Sequence, residues 1–114
     1  MSRLRYWLPS FLYMGFIFFL SSQSSVPLPK WFPDQDKLLH IILYVPLGFL
    51  VAYGLAGSGL RKNIVLYASL LALVYGFTDE FHQLSVPGRN ASVFDFIADG
   101  LGAFIGSYFY VRLR

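Results

Sequence analysis

Ionisable side chains stand inside otherwise apolar stretches of this sequence, where each of them needs a partner or a function. His40 follows Asp36 by four residues and Asp99 follows Asp95 by four, so each pair lies on one face of a helix. Glu80 lies near the end of a third apolar stretch. A charged group in hydrocarbon costs roughly 3 kcal/mol on insertion scales, so such groups usually face a cavity between helices. We therefore expect three helices to deliver these groups to one polar layer.

Three kinds of chemistry suit such a layer. In the first, a general acid and a general base act on a bound substrate, and the candidate catalytic residues are His40, Glu80 and Asp99. In the second, a divalent metal ion is the cofactor, although no spacing such as His-Glu-x-x-His supports it; the candidate ligands are His40, Glu80, His82 and Asp99. In the third, the layer binds a polar headgroup without breaking a bond, and the candidate binding residues are Asp36, Tyr44, Gln83, Arg89 and Asp95. No serine lies in a Gly-x-Ser-x-Gly motif, so no nucleophile is evident.

Several of these residues also have a structural interpretation. Asp36 and Asp95 stand where the start of a helix is expected, and a carboxylate there accepts free backbone N–H groups. Arg89 suits an anchor at a membrane interface or a counter-ion of the acids, whereas its planar guanidinium also suits a bound phosphate or carboxylate. A structural hydrogen bond would account for His40. Helix capping does not account for Asp99, which lies one turn deeper.

The composition excludes several classes of protein. The 114 residues are 56% hydrophobic and only 13% charged, and the mean hydropathy is +0.56. An ordinary soluble domain carries roughly a quarter charged residues. The lack of cysteine excludes a disulfide scaffold, a cysteine-based zinc or iron–sulfur site and a thiol nucleophile. The net charge is +3, but no run of Lys or Arg could follow a phosphate backbone, so we expect no nucleic-acid partner.

Four apolar segments account for most of the chain, and each approaches the length of about 20 residues that a helix needs to cross a bilayer. The predicted spans are about 4–22, 38–56, 64–83 and 92–111. The connecting segments are short, so residues 1–114 form one domain. Gly102 and Gly106 continue the face of Asp95 and Asp99, which predicts close helix packing on that face. The predicted fold class is all-α, an integral membrane four-helix bundle.

The distribution of charge predicts how this bundle is oriented, because cytoplasmic flanks of spanning helices collect Lys and Arg. With a cytoplasmic N-terminus, six basic residues lie on the cytoplasmic side: Arg3, Arg5, Arg61, Lys62, Arg112 and Arg114. The other side holds three, Lys30, Lys37 and Arg89, together with every acid and both histidines. We therefore expect both termini in the cytoplasm and an outward-facing polar pocket. The alternative is a signal peptide at the N-terminus, whose removal would leave three spans.

The same polar residues follow an order and spacing that a known family shares. They are Ser21-Ser22-Gln23, Asp36-Lys37-x-x-His40-x-x-x-Tyr44, Asp79-Glu80-x-His82-Gln83, Pro87-Gly88-Arg89 and Asp95-x-x-x-Asp99-Gly100-x-Gly102. On these motifs the chain resembles the VanZ-like family of small bacterial membrane proteins. One departure is Asp99, where the family pattern more often has Asn. The resemblance implies a location in the bacterial cytoplasmic membrane, an active face outside the cytoplasm and an association with teicoplanin resistance.

Together these observations predict a cell-envelope protein whose pocket binds or modifies an envelope component, such as a lipid-linked one, and which bears on glycopeptide resistance. The expected partners are membrane lipid and a cell-envelope precursor or glycopeptide-related ligand. One alternative is an acid/base or metal-assisted membrane enzyme, a hydrolase or transferase. Another is a structural partner subunit within an oligomer.

Overall fold

A computed structural model describes residues 4–21, 35–85 and 93–113, and they form four α-helices joined in chain order. The helices are α1 (Leu4–Ser21), α2 (Gln35–Gly57), α3 (Ile64–Gln83) and α4 (Val93–Leu113). No strand occurs within these ranges, so the prediction of an all-α fold with four helices is confirmed.

The turn between α2 and α3 follows from its glycine. Gly59 has a φ of 104°, a left-handed conformation that glycine adopts without a steric penalty. This turn lets the backbone N–H of Leu60 donate to the carbonyl of Leu55 at 3.1 Å, and the N–H of Gly59 donate to that of Ala56 at 3.1 Å. The two bonds form a Schellman motif, which satisfies carbonyl groups that the end of a helix leaves unpaired.

The closest helix contact joins α2 to α4 through glycines. A Cβ atom added to Gly102 would overlap the carbonyl oxygen of Ile41, and one added to Gly106 would overlap that of Val45. Gly48 of α2 meets the backbone of Ala103 in the same way. The two backbones therefore touch directly, as small residues allow in membrane helices. The predicted packing face of α4 is confirmed.

Side chains of α1 hold this helix along α2 by hydrogen bonds to backbone carbonyl groups of α2 and to a serine just after it. The indole Nε1 of Trp7 donates to Ser58 Oγ at 2.7 Å, and Ser10 Oγ donates to the Leu50 carbonyl at 3.2 Å. One further turn along α1, the Tyr13 hydroxyl donates to a carbonyl of α2 at 2.5 Å. These contacts step down α2 as α1 ascends, so the two helices run antiparallel.

The two ends of the bundle differ in charge. Exposed basic side chains occupy one end, where α1 starts, α2 meets α3 and α4 ends; they are Arg5, Arg61, Lys62 and Arg112. Acidic groups and His40 lie at the other end, where α2 and α4 start and α3 ends. The separation of charge that the sequence predicted is therefore present within the described residues.

The outer surface between these ends is strongly apolar. Large hydrophobic side chains that are more than half exposed occur on α1, α3 and α4, for example Leu12 at 68%, Val74 at 63% and Phe104 at 51%. By length and composition two helical segments could cross a membrane, Leu38–Gly57 and Ile64–His82, whereas the apolar stretch of α1, Leu4–Leu20, is shorter. The topology with four spans stays a prediction.

The contact between α2 and α4 generates a stability prediction. In Gly106→Ala the added methyl group meets a backbone carbonyl that cannot rotate away, so overpacking should destabilise the bundle by about 1–3 kcal/mol. The melting temperature of the detergent-solubilised protein, followed by helical circular dichroism, should fall. Gly15→Ala is the matched control, because nothing lies within 4 Å of its added Cβ. Equal melting temperatures for the two variants would contradict direct backbone contact.

Candidate functional site

The centre of the polar end is a contact between His40 of α2 and Asp99 of α4. The imidazole Nδ1 lies 2.6 Å from Asp99 Oδ1, a distance typical of a strong, charge-assisted hydrogen bond. The Asp99 side chain is 0% exposed, and that of His40 is 16% exposed. A carboxylate can only accept, so Nδ1 carries the proton in this bond. The lone pair of neutral His40 is then on Nε2.

Two further carboxylates lie close to the imidazole. Asp95 Oδ2 is 3.8 Å from His40 Nε2, beyond hydrogen-bond distance. Glu80 of α3 completes the group, because one potential ligand atom from each of His40, Glu80 and Asp95 lies within 4.8 Å of the others. We call the four residues His40, Glu80, Asp95 and Asp99 the polar cluster. Three helices build it, as the sequence predicted.

Tyr44 lies beneath the polar cluster, one turn along α2 from His40. It is 1% exposed, and its Cβ would be 3.0 Å from a Cβ added to Gly102. Within the described residues neither the Tyr44 hydroxyl nor Asp99 Oδ2 has a hydrogen-bond partner. Most buried polar atoms do have one, so each of these two atoms is a candidate partner for a bound water molecule or ligand.

A glycine of α3 makes room for Asp99. A Cβ added to Gly76 would lie 2.9 Å from Asp99 Oδ2, closer than ordinary van der Waals contact, and 3.4 Å from the Asp99 Cβ. Gly76 stands four residues before Glu80 on the same helical face. This glycine therefore allows the polar groups of α3 and α4 to meet.

The structure places the two histidines in different surroundings. The ring of His82 stacks on Phe18 of α1, with ring centres 4.2 Å apart and planes inclined by 24°. His82 also lines an open pocket of about 510 Å³ on the side of α3 near its end, together with Thr78, Phe81, Leu84 and Ser85. The group of metal-ligating atoms that lie close together contains Asp95 and does not contain His82.

Asp79 is a buried acid that the candidate list from the sequence missed. It is 3% exposed, compared with 8% for its neighbour Glu80, so α3 buries both carboxylates. Adjacent residues on a helix diverge by about 100°, and this divergence favoured only one of them, Glu80, as a pocket residue. The signal that could have found Asp79 is its position beside Glu80 in an apolar helix, where exposure to lipid is costly.

Some of the predicted binding residues lie outside the described part of the structure. Arg89 belongs to a segment that is not described, and the side chains of Asp36 and Gln83 are not described either. Their roles stay predictions. When His40 is neutral, the described site offers an imidazole nitrogen with a lone pair, two carboxylates close to the ring and a third carboxylate that fixes it. This arrangement can accept a proton, bind a cation or orient a polar group of a ligand.

The contact between His40 and Asp99 generates a spectroscopic prediction. In protein with nitrogen-15-labelled histidine, the Nδ1 proton of His40 should resonate far downfield, because a short bond to a buried carboxylate deshields and protects it. Asp99→Ala removes the acceptor and should abolish this resonance through exchange with water. Asp99→Asn keeps a carbonyl acceptor and should retain a smaller downfield shift. The His82→Gln variant is the control and should leave the resonance unchanged. A downfield resonance that persists in Asp99→Ala would contradict the contact between His40 and Asp99.

Comparison with known proteins identifies one family. The family model described as VanZ/LLP1 matches residues 6–114, almost the entire chain. Comparison with curated proteins and with solved structures gives no significant match.

Proposed function

Because the chain belongs to the VanZ/LLP1 family, we propose that it is a multi-pass protein of the bacterial cytoplasmic membrane whose polar cluster binds or modifies a cell-envelope component. Its activity bears on resistance to glycopeptide antibiotics such as teicoplanin. The observation that carries this proposal is the 2.6 Å contact between His40 and Asp99, with two more carboxylates beside it. Such a buried, charged group is expensive in an apolar bundle, and intramembrane groups of this kind usually serve a function.

The apolar surface supports the membrane location. Side chains such as Leu12, Val74 and Phe104 would form an extensive hydrophobic surface in water, which soluble monomers rarely expose. In a bilayer the same side chains contact lipid. The candidate spans Leu38–Gly57 and Ile64–His82 add support. In this proposal α1 and α4 complete four spans, and membrane lipid is a constant partner.

The charge at the two ends supports one orientation. Four exposed basic side chains occupy the end opposite the polar cluster, and the positive-inside rule favours that end in the cytoplasm. The polar cluster then faces away from the cytoplasm. An envelope precursor, which is lipid-linked and carries phosphate or carboxylate groups, could approach it from the outer leaflet. Arg89, which the sequence places near this end, would bind such an anion.

Two modes of action suit the polar cluster. In the first, it binds the polar headgroup of an envelope component or of a glycopeptide-related ligand and changes no bond. In the second, His40 acts as a general base through Nε2, with Asp99 holding the ring in one tautomer. The absence of a nucleophile motif favours binding or acid/base chemistry over a covalent intermediate. The chain would then be an accessory protein or a hydrolase or transferase that uses no protein nucleophile.

A susceptibility assay tests the proposed function. The chain is produced in a teicoplanin-susceptible Gram-positive host, and the minimum inhibitory concentration of teicoplanin is measured. The unmodified chain should raise it, whereas His40→Ala and Glu80→Gln should return it to the level of the host with an empty vector. The reason is that each change removes a group at the centre of the site while leaving the apolar surface intact.

The control for this assay is Ser107→Ala. Ser107 is also 0% exposed and lies on α4, but its hydroxyl donates to the Phe104 carbonyl of its own helix, at 3.1 Å, and not to the polar cluster. This variant should retain resistance. Membrane abundance of each protein is measured by immunoblot. Resistance that persists in both cluster variants at normal abundance, or that falls only in proportion to abundance, would contradict a working site.

A further inference from the structure

We propose that His40, Glu80 and Asp95 bind one divalent transition-metal ion, with Asp99 as the residue that positions His40. This inference rests on the proposed function, because it assigns a metal cofactor to the polar cluster that the proposed function uses. The ligand set differs from that suggested by the sequence, because Asp95 takes the place of His82 and Asp99 acts through the imidazole.

The distances support this set of ligands. One potential ligand atom from each of His40, Glu80 and Asp95 lies within 4.8 Å of the other two. Ligands of a tetrahedral ion with bonds of about 2.0–2.1 Å lie roughly 3.3 Å apart. The 3.8 Å between His40 Nε2 and Asp95 Oδ2 is too long for a good hydrogen bond and close to this ligand spacing. Small rotations of the two carboxylate side chains would close the remaining gap.

The bond from His40 to Asp99 supports the same inference independently. A histidine that binds a metal through one nitrogen usually donates its other N–H to a carboxylate or carbonyl, which fixes the ring and raises its basicity. Asp99 Oδ1 accepts from Nδ1 at 2.6 Å, and Nε2 is the atom that faces Asp95. The Asp99 side chain is completely buried, so its carboxylate holds the His40 ring in one orientation.

The surroundings of Asp99 limit its freedom. Gly76 allows Asp99 Oδ2 to lie against α3, and that oxygen has no hydrogen-bond partner within the described residues. The Asp99 carboxylate is therefore held next to the imidazole. A divalent cation at Nε2 would be attracted by the charges of Asp95, Glu80 and Asp99 together, in an environment of low dielectric constant.

The donor atoms indicate the class of metal. One imidazole nitrogen and two carboxylates suit Zn²⁺ or Mn²⁺, while the lack of sulfur ligands disfavours soft ions. Three protein ligands leave a position open for water or for an anionic oxygen of a ligand. The phosphate or carboxylate of an envelope component is the chemistry that would bind there.

Metal content tests the inference directly. The full chain is purified in detergent from cells supplied with Zn²⁺ and Mn²⁺, and the bound metal is measured by inductively coupled plasma mass spectrometry. Wild type should carry about one divalent ion per chain. His40→Ala, Glu80→Gln and Asp95→Asn should lose most of it. After removal of the ion with a chelator, calorimetric titration with Zn²⁺ or Mn²⁺ should show one site.

Two further variants distinguish the proposed metal ligands from Asp99, the residue that positions His40. Asp99→Asn keeps an acceptor for the His40 ring but removes its charge, so affinity should fall by about 10-fold to 100-fold without abolishing the site. His82→Gln is the matched control and should bind metal as wild type does, since its ring stacks on Phe18 instead. Circular dichroism and gel filtration confirm folding of each variant. Wild type without a bound or titratable ion, or His40→Ala that binds like wild type, would overturn the inference.

The two proposals can fail separately. If no metal is bound but His40→Ala still abolishes teicoplanin resistance, the metal site is overturned and the proposed function stands. If the metal is bound as expected but the same variant retains resistance, the metal site is supported and the proposed function is contradicted.

Discussion

Direct contact between the backbones of α2 and α4 determines where the polar groups of this protein stand. Gly102 and Gly106 lie against carbonyl groups of Ile41 and Val45, so the two helices approach more closely than larger side chains would allow. His40 is next to the first of these contacts and can reach Asp99 at 2.6 Å, across 59 residues of sequence. Helix α3 packs against this pair of helices and contributes Glu80 to the same polar cluster.

The cost of burying carboxylates explains why their arrangement is so constrained. Each carboxylate that leaves water loses several kcal/mol of solvation, and it regains this only through a hydrogen bond, a counter-ion or a metal. Asp99 receives a hydrogen bond from His40 within a helix pair that has no space to rearrange. Asp95 and Glu80 are also buried, at 9% and 8% exposed, and lie close to the same imidazole. The polar cluster therefore combines one acid that fixes the ring with two further acids near it.

The sequence was sufficient to predict the four helices, their charged ends and the packing face of α4. These features depend on hydrophobicity, on net charge and on a glycine spacing that reads directly as helical geometry. The separation of the two histidines was not predictable, because it depends on how far α3 is rotated by its neighbours. Phe18 stacks on His82, and the Tyr75 hydroxyl donates to the Met14 carbonyl at 2.5 Å. Both contacts come from α1, whose position follows only from the assembled bundle.

Orientation connects this geometry to the proposed function, which requires the polar cluster to face away from the cytoplasm. The chain contains no cysteine, so single cysteines can be introduced at either end without background. Ser85 is exposed beside the end of α3, and Leu113 is exposed at the end of α4. With a membrane-impermeant maleimide on intact Gram-positive cells, Ser85→Cys should be labelled at once and Leu113→Cys only after permeabilisation. Labelling of Leu113→Cys in intact cells, with Ser85→Cys protected until permeabilisation, would contradict an outward-facing site.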